Sequence, residues 1–526
     1  MENGIKQDSF FGSLFGKKNS LNIDGNYQRS IPISVPDFED VKKGKFDMNQ
    51  TLLQFTDNPK DRLTISDAFR GIQVFGAIGS GKSSGSGKTI ALSLLRNGYG
   101  GLIMCGKPDE SETWLEYAYA AGREKDIIIF SKDSGHEFNP LQYEMQRQGK
   151  GGGETMNLVT LFMHINELGE RINGGESKEG DSFWKNALRR LLIRVIDLIK
   201  ISGEELSIRN MVEIVNSAPS GQNFLPFLDQ VSDEERDEWF EQGYCTQCLQ
   251  IGFAKYSTMN AEEKQTFKMV YRYFLRDFAK LYDETRSAVI ESFLGLAEPF
   301  LSGILAKQFS QGVNITPEIT HEGKIIIMDY PVKEYLEVGI FSQCIMKLLW
   351  QQATERRNIN ESPMPVFLWV DESQFFLSEY DMLYMTTARS SRAITCFLTQ
   401  NISNYYSVIG GNHPKARVDS LLGNLCTKIF HANNDYETNM WAANTIGKKF
   451  KSMSSFGGNI SPGSNWMPSL GTNTAEQLHY QVEPTRFTVL KCGGVENDFV
   501  VEGVIITAGK VWSNDQNFIE IPFFQT

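Results

Sequence analysis

The chain has 526 residues, of which 41% are hydrophobic and 12% aromatic, and its formal net charge is −12. This length supports two or three domains with a real hydrophobic core, and the acidic balance argues against a protein coated in nucleic acid, although a locally basic channel stays compatible with it. The sequence has no run of about 20 apolar residues and no signal-peptide pattern, which predicts a cytoplasmic protein without a membrane span of its own.

Seven cysteines are scattered along the chain, several of them inside apolar runs. This distribution is typical of reduced thiols in the cytoplasm. Cys245 and Cys248 form a single C-x-x-C pattern with no second pair beside it. A lone pattern of this kind does not favour a zinc or redox site.

The first 45 residues are polar and rich in Gly, Ser, Asn and Lys, so we expect a flexible N-terminal arm. Strand-like runs follow at residues 71–75, 102–105 and 127–130, with a helical stretch around 114–122 between the last two. Strands that alternate with helices indicate a parallel α/β sheet.

The first of these strands leads directly into residues 76–83, Gly-Ala-Ile-Gly-Ser-Gly-Lys-Ser, which complete the pattern G-x-x-x-x-G-K-[ST]. A strand, a glycine-rich turn and a helix are the context in which this motif holds a nucleotide. Backbone N–H groups converge on the phosphates, Lys82 can reach the β- and γ-phosphate oxygens, and the Ser83 hydroxyl can bind Mg²⁺. We therefore predict that ATP or GTP binds with Mg²⁺. The predicted nucleotide-binding residues are Gly76, Gly79, Ser80, Gly81, Lys82, Ser83 and Ser84.

The tract after this loop contains a second Gly-Lys-Thr at residues 87–89. That register would need glycine at position 82 and finds lysine, so we assign the phosphate loop to the first frame. Gly85 and Gly87 each weaken a helix by about 1 kcal/mol relative to alanine. We expect the close approach of a phosphate, a backbone or a neighbouring subunit to explain them.

Helical periodicity begins after the glycine-rich linker at residues 150–153 and continues to about residue 312. The clearest helix places apolar residues at spacings of three and four, namely Trp184, Leu188, Leu191, Val195 and Leu198. Strand-like runs resume at residues 324–328, 366–370, 394–399 and 428–431. The simplest organisation is one α/β domain over residues 46–150 and 313–526, interrupted by an all-helical insertion over residues 151–312.

The strand at 366–370 ends in two adjacent carboxylates, Asp371 and Glu372. In a nucleotide site, one such carboxylate can hold the Mg²⁺ shell and the next can polarise the attacking water, so we assign Asp371 to the metal and Glu372 to the water. The strand at 394–399 ends in Gln400, which we interpret as a sensor of the γ-phosphate. A buried strand followed by acidic turn residues is the structural alternative.

Arg389 and Arg392 lie just before the strand that ends in Gln400. A guanidinium offered to the nucleotide of a neighbouring subunit stabilises transition-state charge, an effect worth roughly 10³ to 10⁵ in rate. Arg389 is the candidate for this catalytic role in trans. Solvated surface arginines are the alternative.

Near the C-terminus, residues 452–474 are rich in Gly, Ser, Asn and Pro, which predicts a long loop. Two further strand-like runs, 487–491 and 499–507, are expected to close the sheet.

Five motifs occur along the chain in this order: the tract Gly-Ser-Gly-Lys-Ser-Ser-Gly-Ser-Gly, Phe-Asn-Pro-Leu at 138–141, Asp-Ser-Phe-Trp at 181–184, the Asp371-Glu372 pair and Gln400. Together they resemble the TraG/TraD-type coupling ATPases of conjugative type IV secretion, within the HerA/FtsK group of hexameric motors. The resemblance spans roughly residues 55–450. It implies a RecA-like P-loop NTPase domain, a small all-helical domain and a ring of six subunits with ATP at the interfaces.

The same resemblance carries over residue by residue. Lys82 and Ser83 match the phosphate-loop residues, Asp371 and Glu372 match the metal and catalytic carboxylates, and Gln400 matches the sensor. Arg389 lies where the family places its arginine finger. The chain departs from the family in two respects: it lacks N-terminal transmembrane helices, and it has Cys-Gly-Lys-Pro at 105–108, where the family often has an acidic residue before Lys-Gly.

The leading prediction is an ATP-driven hexameric DNA translocase that hydrolyses ATP at subunit interfaces. The alternative is an ATP-regulated adaptor that recruits a relaxase or another cargo protein, and a partner could bring either form to the inner membrane. A phosphotransferase is disfavoured because the Asp371-Glu372 pair suits water activation. Conjugation, DNA processing and phage defence stay open as settings.

Overall fold

A computed structural model describes residues 38–172, 181–409, 413–459 and 469–525 of the chain. The strands in these residues are β1 (Thr51–Gln54), β2 (Arg62–Thr64), β3 (Ile72–Phe75), β4 (Gly100–Met104), β5 (Ile127–Ser131), β6 (Ile325–Asp329), β7 (Val366–Val370), β8 (Ala393–Thr399), β9 (Thr427–Phe430), β10 (Lys448–Asn459), β11 (Ser469–Tyr480), β12 (Val500–Thr507) and β13 (Phe518–Phe524). β1 pairs with β2 and β10 pairs with β11, each as an antiparallel two-stranded sheet.

The other strands of the described residues form one central sheet in the order β13-β12-β9-β3-β8-β7-β4-β6-β5. From β9 to β5 all neighbours are parallel, whereas β12 and β13 add an antiparallel edge beside β9. Every residue of β7 is buried, which is typical of a parallel strand covered on both faces. The predicted α/β fold with a mostly parallel sheet is therefore confirmed.

The helices of the described residues connect these strands. They are Phe38–Lys42, Ile65–Ala68, Lys88–Arg96, Glu110–Ala120, Pro140–Gln146, Thr155–Ile172, Asp181–Ser202, Ile208–Ser217, Leu225–Leu228, Asp233–Phe240, Tyr244–Lys255, Ala261–Arg272, Asp283–Ala297, Gly303–Gln308, Val332–Arg356, Glu379–Thr387, Ile402–Ile409, Pro414–Asn424 and Tyr436–Ile446.

The two faces of the sheet bury alternate side chains into two separate cores. On β4, Leu102 and Met104 pack into one core and Ile103 packs into the other. The long helix Val332–Arg356 contributes to the first core, and helix Lys88–Arg96 to the second. This three-layer arrangement follows from the period-two alternation of side chains along each strand.

Between β5 and β6, the described residues form helices and no strand. Helix Asp181–Ser202 buries Leu188, Leu191, Val195 and Leu198, as the helical spacing predicts. Trp184 is different, because it lies in the first turn of this helix and is 37% exposed. A bridge between Phe138 and Val313 brings together the two ends of this helical segment.

The expected N-terminal arm lies outside the described residues up to position 37. The remaining part packs on the sheet domain, since Phe38–Lys42 is helical and Val41 is fully buried. No helix of the described residues is both long enough and apolar enough to cross a membrane.

Two predictions near the C-terminus were wrong. The expected loop at 452–474 is largely a β-ribbon, in which β10 and β11 pair from Lys448 opposite Tyr480 to Asn459 opposite Ser469. The run at 499–507 forms an expected strand, β12, but the run at 487–491 forms no strand, because Pro484–Thr488 is a 3₁₀ turn and β13 takes the outer position beside β12. A short antiparallel contact remains, in which the N–H of Glu502 donates to the carbonyl of Lys491 (2.9 Å). β13 buries only alternate residues, and Glu520 and Pro522 are exposed between them. A charged residue and a proline interrupt the apolar run, so the sequence did not indicate this edge strand.

Candidate nucleotide-binding site

The phosphate loop follows β3 in the middle of the sheet, between β9 and β8. Both neighbouring strands hold it, because the N–H of Gly76 donates to the carbonyl of Thr399 (3.3 Å) and the N–H of Ala77 donates to the carbonyl of Ala432 (2.9 Å). Gly81 has a left-handed φ of 82°, and a Cβ there would lie 2.4 Å from Val501. Glycine is therefore required at this turn for both conformation and space.

After the loop the chain enters a π-helical turn, Ser83–Gly87, before helix Lys88–Arg96. The N–H of Gly87 donates to the carbonyl of Lys82 (2.8 Å), and a Cβ on Gly87 would lie 2.8 Å from that oxygen. Close backbone approach thus explains Gly87, one of the reasons anticipated for these glycines. Gly85 instead lies against the side chains of Val501 and Phe523.

The carboxyl end of β7 brings the two predicted carboxylates to this loop. The hydroxyl of Ser83 donates to Oδ2 of Asp371 at 2.9 Å, and Nζ of Lys82 lies 3.4 Å from Oε1 of Glu372. Glu372 itself has a left-handed backbone (φ 46°, ψ 47°), which is costly for a residue with a Cβ. A strained residue held at the end of a central strand is typical of a functional site.

Lys107 is a site residue that sequence reasoning did not assign. It follows β4, the neighbour of β7, and its Nζ lies 2.8 Å from Oδ2 of Asp371 and 3.3 Å from Oε1 of Glu372. The buried carboxylate of Glu110 holds its backbone by accepting the N–H groups of Gly106 (2.8 Å) and Lys107 (3.3 Å). The sequence does show a lysine three residues after a strand of the parallel sheet. It does not show which strand lies beside β4, so the carboxylates that this lysine contacts could not be named.

These contacts decide the charge of the site. Burial by itself raises the pKa of Glu372, but the charges of Lys82 and Lys107 and a hydrogen bond from Gln374 outweigh it and lower that pKa to about 2. Burial opposes the charge of Lys107 as well, yet the attraction of Asp371 and Glu372 raises the pKa of this lysine. Glu372 is therefore ionised and Lys107 charged at neutral pH, and both lie beside Lys82 and Asp371.

Gln400 lies at the end of β8, which is inserted between β3 and β7. Its side-chain amide donates to Oε2 of Glu372 at 3.2 Å, and its backbone carbonyl accepts a hydrogen bond from the side-chain amide of Asn433 at 2.7 Å. Gln374 donates to the same carboxylate oxygen at 2.8 Å, and it too was missed in the sequence. Because β3, β8 and β7 are neighbours, the phosphate loop, Gln400 and the carboxylates meet at the carboxyl ends of these three parallel strands.

Arg389 is the predicted site residue that the structure does not bring to this cluster. It is exposed and lies in the turn before β8, at the amino end of that strand. The site lies at the carboxyl end, about 20 Å away for seven extended residues. Nearby Arg392 is occupied differently, since it donates to the carbonyl of Pro363 (2.8 Å) and lies over the ring of Phe46.

Two further observations bear on ligands. The buried hydroxyl of Ser80 has no hydrogen-bond partner among the described residues, as expected for a group oriented for a phosphate. Mg²⁺ is commonly held by one or two protein oxygens together with substrate phosphates, and Ser83 with Asp371 offers such a pair. The residues present therefore fit a magnesium nucleotide. Ser84 is engaged elsewhere, since Gln525 donates to its hydroxyl at 2.7 Å.

No protein-family model and no curated protein matches the sequence. Solved structures of a bacterial conjugative coupling protein, TrwB, do match it. The unbound monoclinic form of TrwBdeltaN70 is 12% identical, with 91% of this chain and 90% of that chain covered and a TM-score of 0.56.

TrwB in complex with the non-hydrolysable GTP analogue GDPNP is 11% identical, with coverages of 94% and 96% and a TM-score of 0.55. TrwB in complex with ADP and Mg²⁺ is also 11% identical, with 90% of each chain covered and a TM-score of 0.54. At this identity the likeness shows the fold. The resemblance to coupling ATPases is thus confirmed at the level of the fold, a RecA-like P-loop NTPase fold.

Proposed function

We propose that this chain is an ATPase that moves DNA as a ring of six subunits, with hydrolysis at the subunit interfaces. The observation that carries the proposal is the contact of Ser83 with Asp371 (2.9 Å) beside that of Lys82 with Glu372 (3.4 Å). These contacts bring the proposed metal carboxylate to Ser83, and the proposed water-polarising carboxylate to Lys82, the residue that would reach the γ-phosphate. The fold shared with TrwB, which has been solved with ADP and Mg²⁺, supports it.

The phosphate loop supplies the binding of the triphosphate. The N–H groups of Gly79 and Gly81 and the ammonium of Lys82 offer positive charge to the phosphate oxygens. The N–H of Ser80 donates to the carbonyl of Ala77 (3.1 Å), so this residue would contribute its unpartnered hydroxyl. Ser83 and Asp371 would hold Mg²⁺, which when bound neutralises charge on the phosphate oxygens. Ser84 would contact the nucleotide through its backbone, since its hydroxyl accepts a hydrogen bond from Gln525.

Glu372 is proposed to orient and polarise the attacking water. Its low pKa keeps it ionised, so it can accept a hydrogen bond from water rather than donate one. Gln374 and Gln400 both donate to Oε2, which fixes the orientation of the carboxylate. Because Gln400 touches Glu372 and, through Asn433, the end of β9, it is placed to transmit a change at the γ-phosphate.

Arg389 enters the proposal as a residue that acts on the nucleotide of a neighbouring subunit. Its exposure and its position at the far end of β8 remove it from the site of its own chain. A catalytic role for it therefore requires an oligomer. The domain division at residues 46–150, 151–312 and 313–526 and the cytoplasmic location, with recruitment to the inner membrane by a partner, belong to the same proposal.

The alternative function is an adaptor that uses ATP to control the recruitment of a relaxase or another protein. The two functions differ in their cargo, which is DNA for the motor and a protein for the adaptor. The decisive measurement is ATP hydrolysis by the purified chain with and without single- and double-stranded DNA. The motor predicts acceleration by DNA that disappears in Lys82→Ala and Glu372→Gln. Turnover that DNA leaves unchanged and that a protein cargo raises would replace the motor with the adaptor.

Mixed oligomers test Arg389. Subunits with Arg389→Ala and subunits with Lys82→Ala are each expected to be inactive, and mixing them should restore part of the hydrolysis, because an intact nucleotide site then meets an intact arginine. Arg189→Ala, at an exposed position in helix Asp181–Ser202, is the matched control and should hydrolyse ATP as the wild type does. An Arg389→Ala protein with full activity, or mixtures without recovery, would remove Arg389 from the mechanism.

A further inference from the structure

The order of the strands indicates how a nucleotide would be oriented in the site. β8 and β7, which carry Gln400 and the carboxylates, lie on one side of β3, while β9, β12 and β13 lie on the other. In a phosphate loop the lysine reaches the β- and γ-phosphates. Since Lys82 contacts Glu372, the γ-phosphate end belongs to the β7 side. The nucleoside end must then extend toward the antiparallel edge of the sheet.

That edge is built directly onto the phosphate-loop turn. Val501 of β12 packs on Gly81 and Gly85, and Phe523 of β13 packs on Gly85, so that no side chain could be added at these glycines without a clash or a shift. The contact continues beyond the end of β13. There the amide of Gln525 donates to the Ser84 hydroxyl (2.7 Å) and its oxygen accepts the N–H of Gly494 (2.7 Å).

The segment that receives this second bond, residues 493–499, has an unusual backbone. Gly493 and Gly494 have positive φ, and so do the non-glycine residues Asp498 (53°) and Phe499 (56°). A left-handed conformation at a bulky aromatic residue is strained, and strain of this kind collects at ligand-binding segments. The same segment leaves large apolar side chains at the surface, with Val495 78% and Phe499 44% exposed.

We propose that residues 493–499 and Gln525 form the nucleoside end of the nucleotide site. Val495 and Phe499 supply apolar contact for the purine ring, and the Gln525 amide, already at Ser84, supplies a hydrogen bond at the ribose and α-phosphate. This inference rests on the proposed binding of ATP and assigns residues to the half of the ligand that the phosphate loop does not hold.

The test compares a ligand that has a nucleoside with one that consists of phosphates alone. A fluorescent ATP analogue is displaced from the full chain, with Mg²⁺, by a non-hydrolysable ATP analogue or by inorganic tripolyphosphate. Gln525→Ala is expected to weaken displacement by the ATP analogue about five- to tenfold, through loss of one hydrogen bond, and to leave tripolyphosphate within about twofold. Gln230→Ala, at an exposed glutamine of the helical segment, should change neither affinity.

Phe499→Gly provides a second variant that the fold tolerates, since glycine accepts the left-handed backbone without strain. It should lower affinity for the ATP analogue about tenfold, again without effect on tripolyphosphate, by loss of base stacking. Equal losses for both ligands, or no loss in either variant, would overturn the inference. If neither ligand displaces the probe from the wild type, the proposed ATP binding fails as well.

Discussion

Two ionic clusters differ in their access to solvent. The cleft cluster consists of Lys82, Lys107, Asp371 and Glu372; its Lys107 side chain is 27% exposed, and its other three side chains are 5–8% exposed. The sealed cluster consists of Lys347, Asp381, Gln351 and Ser378, and its two charged side chains are 2% and 0% exposed. Both sets pair lysine with a carboxylate, so the difference between them lies in access and in how the oxygens are used.

In the sealed cluster every oxygen of Asp381 is committed. Oδ2 accepts hydrogen bonds from Lys347 and from the backbone N–H and hydroxyl of Ser378, and Oδ1 accepts the amide of Gln351. Lys347 also donates to the carbonyl of Phe376 (2.6 Å). The cluster therefore ties the long helix Val332–Arg356 to the segment that follows Glu372.

In the cleft cluster the oxygens are shared and can be exchanged. Oδ2 of Asp371 contacts both Ser83 and Lys107, and Oε1 of Glu372 contacts both Lys82 and Lys107. A ligand with its own charges can replace these partners without opening the core. A closed, fully bonded ion pair thus serves stability, whereas a shared pair with a partly exposed partner serves binding and chemistry.

The largest effect is expected from Glu372→Gln in the cleft cluster. The neutral amide keeps the shape of the side chain but cannot polarise water, so kcat should fall about 10²- to 10⁴-fold. Nucleotide binding should persist, whereas the folded state should lose part of the ionic stabilisation that lowers the Glu372 pKa. Phosphate release and nucleotide binding measured on the same preparation check this, and a variant that keeps more than a tenth of wild-type turnover would contradict it.

Lys347→Met in the sealed cluster should act on stability instead. It leaves Asp381 buried without its counter-charge, which costs about 3–5 kcal/mol of the free energy of unfolding. Denaturant unfolding of the full chain measures the loss. The double variant Lys347→Met with Asp381→Leu should recover part of it, because no buried charge then remains unpaired. A single variant that loses less than about 1 kcal/mol would show that the cluster is not sealed.

Lys107→Met sharpens the comparison by removing the accessible cation. Lys107 competes with a metal for Oδ2 of Asp371, so the Mg²⁺ concentration for half-maximal nucleotide binding should fall about three- to tenfold. Lys107→Arg keeps the charge and should resemble the wild type. A higher Mg²⁺ requirement in Lys107→Met would mean that the lysine holds Asp371 in place for the metal.

The smallest effect is expected at an ion pair that is open on all sides. Arg417 lies 2.7 Å from Glu379, and both side chains are exposed. Arg417→Ala should change the free energy of unfolding by less than about 1 kcal/mol, because solvent screens such pairs. Thermal melting of Arg417→Ala and Lys347→Met under the same conditions measures the difference. If the two variants lowered the melting temperature equally, solvent exposure would not explain how much an ion pair stabilises this protein.

Much of the site could be predicted because its signals are contiguous. The phosphate loop at 76–83 and the apolar strand ending in Asp371 and Glu372 each carry their meaning within a few residues. Lys107 carries none by itself, because its role appears only when β4 lies beside β7. Gln374 lies two residues after Glu372, but its contact with that carboxylate forms across the left-handed turn at Glu372, which no local pattern indicates. The role of Arg389 stays a prediction, since a contact in trans depends on a second subunit.

The same distinction holds for the fold. The parallel α/β sheet, the helical segment within it and the phosphate loop could be inferred from the sequence, since hydrophobic periodicity and a glycine pattern are local properties. Three features follow from the three-dimensional packing alone: β13 is the partner of β12, residues 452–459 and 469–474 pair as a ribbon, and a lysine after β4 joins the carboxylates of β7. Pairing between distant strands depends on which surfaces are buried together, and neither spacing nor composition along the chain records that.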